Sequence, residues 1–127
     1  MIASLLLRVS VVLAVIGMLL GIGMGMKQDF QLAPAHAHLN LLGFVALFLA
    51  GLYYQVVPKA ADTLLAAIHT WVAIVGAVLF PIGIATVLLG GPDYELFTII
   101  GSMIVLVGML LFAAIVLRYG ARSKAQS

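Results

Sequence analysis

Pro34-Ala35-His36-Ala37-His38-Leu39-Asn40-Leu41-Leu42-Gly43-Phe44 places two of the chain's three histidines at the start of an apolar run that holds no charged residue between Asp29 and Lys59. Ligand-capable side chains are costly to keep in lipid, so imidazoles in such a run read as functional groups. The run is long enough to cross a bilayer. As a helix it accepts Pro34 in its first turn, where the missing N–H has no partner to lose. At roughly 100° per residue, His36 and His38 stand about 200° apart around that helix. One helix therefore cannot turn both toward one metal, and it offers one imidazole to each of two neighbouring clefts.

Composition settles the class. Of 127 residues, 65% are hydrophobic and 8% are charged, against about 25% charged in soluble domains. The chain reads as a single all-α integral membrane domain over residues 1–127, a four-helix unit with spans at about 4–26, 34–57, 64–89 and 96–117 and a basic tail at 118–127. Cysteine is absent, which removes disulfides, iron–sulfur ligation, thioether-held haem and thiolate catalysis. Histidine remains as the main transition-metal ligand. The net charge of +2 comes from a few residues at the membrane edges, so no nucleic-acid partner is implied.

Arg8 followed by the uncharged run Val9–Met26 also resembles a cleaved leader, but the run exceeds the ~7–15 residues of a signal core and fits an anchor better. Gly17 and Gly21, four apart, permit close approach of another helix or of a flat ligand. Tyr53 and Tyr54 read as interfacial aromatics near the end of the second span, which Pro58 and Lys59 terminate. The third span contains His69, Trp71 and Pro81, and the proline is expected to bend it by removing one hydrogen bond. Gly90-Gly91-Pro92-Asp93 marks the next turn.

Four crossings put both termini and the loop around Lys59 on one side, with Arg8, Lys59, Arg118, Arg122 and Lys124, and leave only Lys27 on the other. The positive-inside rule then predicts cytoplasmic termini in the cell's inner membrane. His36 and His38 fall near the outer surface. His69 falls about 9 Å into the third helix from the cytoplasmic side and some 20 Å from His38, too far to share one iron within a subunit. It reads as a neutral histidine hydrogen-bonded to a neighbouring helix, with Trp71 at the interface, or as a secondary contact for a cofactor, a quinone or a proton path.

From the first helix through His36-Ala-His38-Leu-Asn40-Leu-Leu-Gly43-Phe44 to Tyr53-Tyr54-Gln55-Val56-Val57-Pro58, the chain resembles subunit I of the haem–copper oxidase superfamily, which includes the catalytic subunits of cytochrome c oxidase and nitric oxide reductase. The likeness is strongest over about residues 10–90. It implies that His38 matches the low-spin haem ligand of the family's second helix. The His-X-His pair is also similar to that of its tenth helix, where each histidine serves a different haem. The implied fold is one four-helix arc of a pseudo-threefold subunit. A homotrimer would rebuild that arrangement, with His36 of one subunit and His38 of the next facing one haem b; a dimer is the other closed symmetry open to the chain. The histidines that the family takes from its sixth and seventh helices have no counterpart here, so a complete haem–copper centre is not encoded and no catalytic residue is assigned.

The resemblance makes His36 and His38 iron ligands, with Asn40 and Gly43 beside the cofactor. Gly17, Gly21, Ala46 and Ala50 would leave room for a porphyrin. Asn40, Gln31 or a backbone carbonyl would take the imidazole N–H, and Lys27 is the one cation at that end for the propionates. Two axial histidines suit electron transfer, here between a quinol or membrane dehydrogenase and an outer-face acceptor. A single axial histidine would instead leave a position for O₂, NO or CO, giving a gas-binding or minimal reductase-like protein. Non-haem readings are a helix-packing protein and a channel or carrier, although Asp29, Asp62, Asp93 and Glu95 all fall in loops. Copper, held by one histidine from each of three chains, is the weakest of these readings.

Overall fold

A computed structural model describes residues 1–124 of the chain, with side chains for residues 1–120. Four long helices account for nearly all of it: α1, Ile2–Lys27; α2, Ala33–Val56; α3, Leu64–Gly90; and α4, Glu95–Lys124. Each is long and apolar enough to cross a bilayer, which makes the chain a multi-pass membrane protein. The α4 helix continues past residue 117, where the last apolar run read from the sequence ends. Arg118 ends the apolar run there but is a good helix former, so the helix outlasts its hydropathy. Residues 125–127 of the expected basic tail lie outside the described residues.

Local chemistry sets the ends. Gln28, in the left-handed region at φ 51°, closes α1, and Asp29 Oδ1 then accepts the Gln31 N–H at 3.1 Å to turn the chain back. Pro34 occupies the first turn of α2. After α2, a single helical turn, Pro58–Ala61, leads to Thr63, whose hydroxyl accepts the Ala66 N–H at 3.2 Å and caps α3. The α3 helix runs through the buried Pro81 without a break and stops at Gly91, whose φ of 94° suits only glycine. Glu95 in the first turn of α4 lies at the positive end of its dipole.

Adjacent helices pack as two antiparallel hairpins, α1 with α2 and α3 with α4, joined through α2 and α3. The α4 helix packs chiefly along α3 and reaches α2 through Phe112, which lies against Tyr53 and Tyr54. The α3–α4 contact is backbone to backbone. A methyl group at Gly83 would sit 2.9 Å from Thr98 Cα, and one at Gly101 would sit 2.8 Å from Phe80 Cα. Gly76 and Gly83 on α3, and Gly101 and Gly108 on α4, recur every seven residues, the spacing that keeps a seam in register between two helices. Toward the end that carries the termini, Leu6, Leu47, Tyr54, Ala66 and Ile115 bring all four helices into one buried cluster.

Candidate functional site

The histidine pair lies where α2 changes its winding. Residues Ala33–His38 are α-helical, Leu39–Ala46 form a π-helix, and Leu47–Val56 return to α. Such i→i+5 turns are rare and gather at functional sites, because the widened turn re-aims the side chains on either side of it. An apolar run with hydrophobic residues all round gives no periodic signal for it, so the sequence did not predict it.

His36 and His38 leave α2 on opposite sides, as their spacing requires. His36 turns toward α1, where a Cβ at Gly21 would lie 2.8 Å from its Cε1. Asn40, one turn on, fills the space over Gly17, and its Nδ2 stands 3.3 Å from both His36 ring nitrogens. Neither nitrogen is thereby committed to a single well-directed partner. The two glycines thus make room for side chains of α2. Gly43 is buried against Leu13, whose Cδ1 would lie 3.1 Å from a Cβ there.

His38 turns toward α3, its ring edge-on to Phe80 with centroids 5.0 Å apart. Its Nδ1 lies 2.8 Å from the Pro34 carbonyl oxygen. A carbonyl only accepts, so Nδ1 carries the proton, and in the neutral ring Nε2 keeps its lone pair. The donor set at this position therefore fits a metal or haem iron, since ligating histidines almost always hand their other N–H to such an acceptor. Pro34 supplies that carbonyl because, as the first-turn proline, it stands four residues ahead of the ring. Gln31 is engaged elsewhere: its Nε2 donates to the Leu88 carbonyl at 2.6 Å and ties the α1–α2 loop to the end of α3.

His69 sits apart from the pair, 3% exposed, on the α3 face that looks between α2 and α4. Its Nδ1 is 2.8 Å from the Tyr54 hydroxyl, and Phe112 stacks on its ring with centroids 4.9 Å apart and 21° between planes. This corrects the reading of Tyr54 as an interfacial aromatic: it is 1% exposed, because its hydroxyl finds in His69 the partner that burial demands. Trp71, at 61% exposed, faces outward and does not touch that bond. Tyr53 packs edge-on against Phe112, and among the described residues its shielded hydroxyl has no partner.

Where α2 and α4 diverge, α3 floors a cleft of about 380 Å³ with His69 at one end. A second hollow of about 270 Å³, between α1, α2 and α3, is lined by apolar residues alone. Among the described residues, no three His, Cys, Asp or Glu side chains gather closely enough to hold a metal ion by themselves. Compared with family models, with curated proteins and with solved structures, the chain matches none.

Proposed function

We propose that the chain is a haem b protein of the cytoplasmic membrane, with its termini on the cytoplasmic side. The oligomer favoured is a homotrimer of four-helix arcs resembling those of haem–copper oxidase subunit I. In it His38, with His36 from the adjoining subunit, would hold the iron, and the protein would pass electrons from a quinol or membrane dehydrogenase to an outer-face acceptor. The observation that carries the reading is the 2.8 Å bond from His38 Nδ1 to the Pro34 carbonyl, which fixes the tautomer a ligand needs. The opposite aim of the two rings, one toward α1 and one toward α3, supports a pair that serves two different clefts. Bound by these two imidazoles, haem would supply one-electron chemistry. Pro34 and Phe80 orient His38.

A second reading has its own support. His36 is seated against Gly21 with Asn40 beside it. If it stays there, His38 ligates alone, and the protein binds a small gas at the open position. The visible spectrum of purified protein separates the two. Sharp reduced α and β bands indifferent to CO accord with the electron carrier, and a CO-shifted Soret band accords with the gas-binding protein. Colourless, well-folded protein from haem-replete cells overturns both.

A further inference from the structure

The cleft along α3 has a chemistry of its own. Ala46 and Ala50 of α2 and Ala73 and Ala77 of α3 keep its walls low, and no charged residue lines it. Its one titratable lining side chain is His69, whose Nδ1 is held by Tyr54 and whose Nε2 has no hydrogen-bond partner among the described residues. A ring nitrogen left uncommitted in an apolar slot calls for one hydrogen-bonding atom from whatever fills the slot. A lipid acyl chain brings none. A porphyrin brings two carboxylates, for which the lining holds no cation. A neutral ring bearing a carbonyl or hydroxyl oxygen, on an apolar tail, meets both conditions.

We propose that this cleft binds a membrane quinone or quinol, with one ring oxygen hydrogen-bonded to His69 Nε2. Tyr54 is the positioning residue. When its O–H donates to Nδ1, Nε2–H donates to a quinone carbonyl; when Nδ1–H donates to the Tyr54 oxygen, Nε2 accepts from a quinol hydroxyl. The neutral imidazole thereby serves both redox forms. From His69 to Phe80, the residue that touches His38, α3 rises about 17 Å, so α3 runs from the cleft to the proposed iron ligand on α2. The inference deepens the electron-transfer reading by naming its membrane donor, but the binding itself does not need haem.

The test uses the full chain in quinone-free nanodiscs, labelled with a photoreactive short-tailed benzoquinone and titrated with decylubiquinone. Saturable labelling on the peptides that carry Ala46–Ala50 and His69–Ala77 is expected, competed by decylubiquinone and not by a saturated alkyl alcohol. His69→Phe keeps the aromatic stack and should weaken decylubiquinone binding about three- to tenfold, the worth of one hydrogen bond. Ala46→Leu, which fills the slot from the α2 wall two turns before the Tyr54–His69 bond, should abolish labelling. Unchanged affinity in His69→Phe, equal competition by the alkyl alcohol, or labelling confined to other peptides would overturn the proposal. Colourless protein that binds quinone would end the haem reading alone, and coloured protein that binds none would end this one alone.

Discussion

The Tyr54 hydroxyl lies 2.8 Å from His69 Nδ1, a bond that joins α2 to α3 in the most enclosed part of the chain. Both groups are shielded from lipid and water, so each would otherwise be an unsatisfied polar atom in an apolar setting. Tyr54→Phe should destabilise the fold by about 0.5–2 kcal/mol, the range for hydrogen bonds between membrane helices and for a buried partner left unpaired. Unfolding in mixed micelles measures it, and a variant as stable as the parent would mean the bond contributes nothing net.

That bond also marks where the sequence stopped being legible. Four unbroken apolar runs announce four spans, because hydropathy over about 20 residues is a strong signal. The His36–His38 spacing likewise fixes their divergence around α2 before any coordinates. Tyr53-Tyr54 beside Pro58 has the composition of an interfacial belt, and nothing local tells that one of the two turns inward to meet His69, fifteen residues on. The π-helix was hidden for a similar reason, since a run apolar on every side has no period to break. The seven-residue spacing within each pair, Gly76–Gly83 and Gly101–Gly108, was there to be read, and it foretells the α3–α4 seam.

Gly21→Ala and Gly23→Ala form a matched pair. A methyl at Gly21 would meet His36 Cε1 at 2.8 Å, whereas one at Gly23 meets nothing within 4 Å. Only the first should displace the His36 ring, read as a shifted histidine resonance by NMR or, in haem-loaded protein, a changed visible spectrum. Equal effects from the two substitutions would show that His36 does not rest on α1.

At the α3–α4 seam the obstacle is backbone, which cannot swing aside as an imidazole can. Gly83→Ala and Gly101→Ala should each cost about 1–3 kcal/mol, as overpacking a tight contact does. Gly120→Ala, with open space around its Cβ position among the described residues, should not destabilise and should gain up to about 1 kcal/mol from helix propensity. Melting of the three variants in one detergent checks the ranking.

On the haem reading the two histidines are not equivalent. His38 already has its N–H acceptor at Pro34, and His36 has only the long contacts to Asn40. His38→Ala should therefore lose bound haem outright or leave a high-spin remnant. His36→Ala should retain haem in a five-coordinate form that binds CO. His69→Ala should leave the spectrum nearly unchanged. Haem loss from His69→Ala alone would place the iron in the α3 cleft instead.

The π-helical segment gives the sharpest test of how His36 and His38 are aimed. Leu41 lies inside it and is 57% exposed, so its side chain contributes little packing. Deleting Leu41 removes one residue from the widened turn, so the part of α2 before it rotates relative to Leu47–Val56 unless the rest of the turn rewinds as α-helix. His36 would leave Gly21, His38 would leave Phe80, and the Pro34 carbonyl would turn with them, since it belongs to the same α-helical segment. The internal His38–Pro34 bond should survive while both interhelical contacts are lost. Histidine NMR can follow the two effects separately, and full-length helical content by circular dichroism checks that α2 still forms. If His36 and His38 keep their parent chemical shifts in the deletion variant, the winding of α2 does not determine which helices they face.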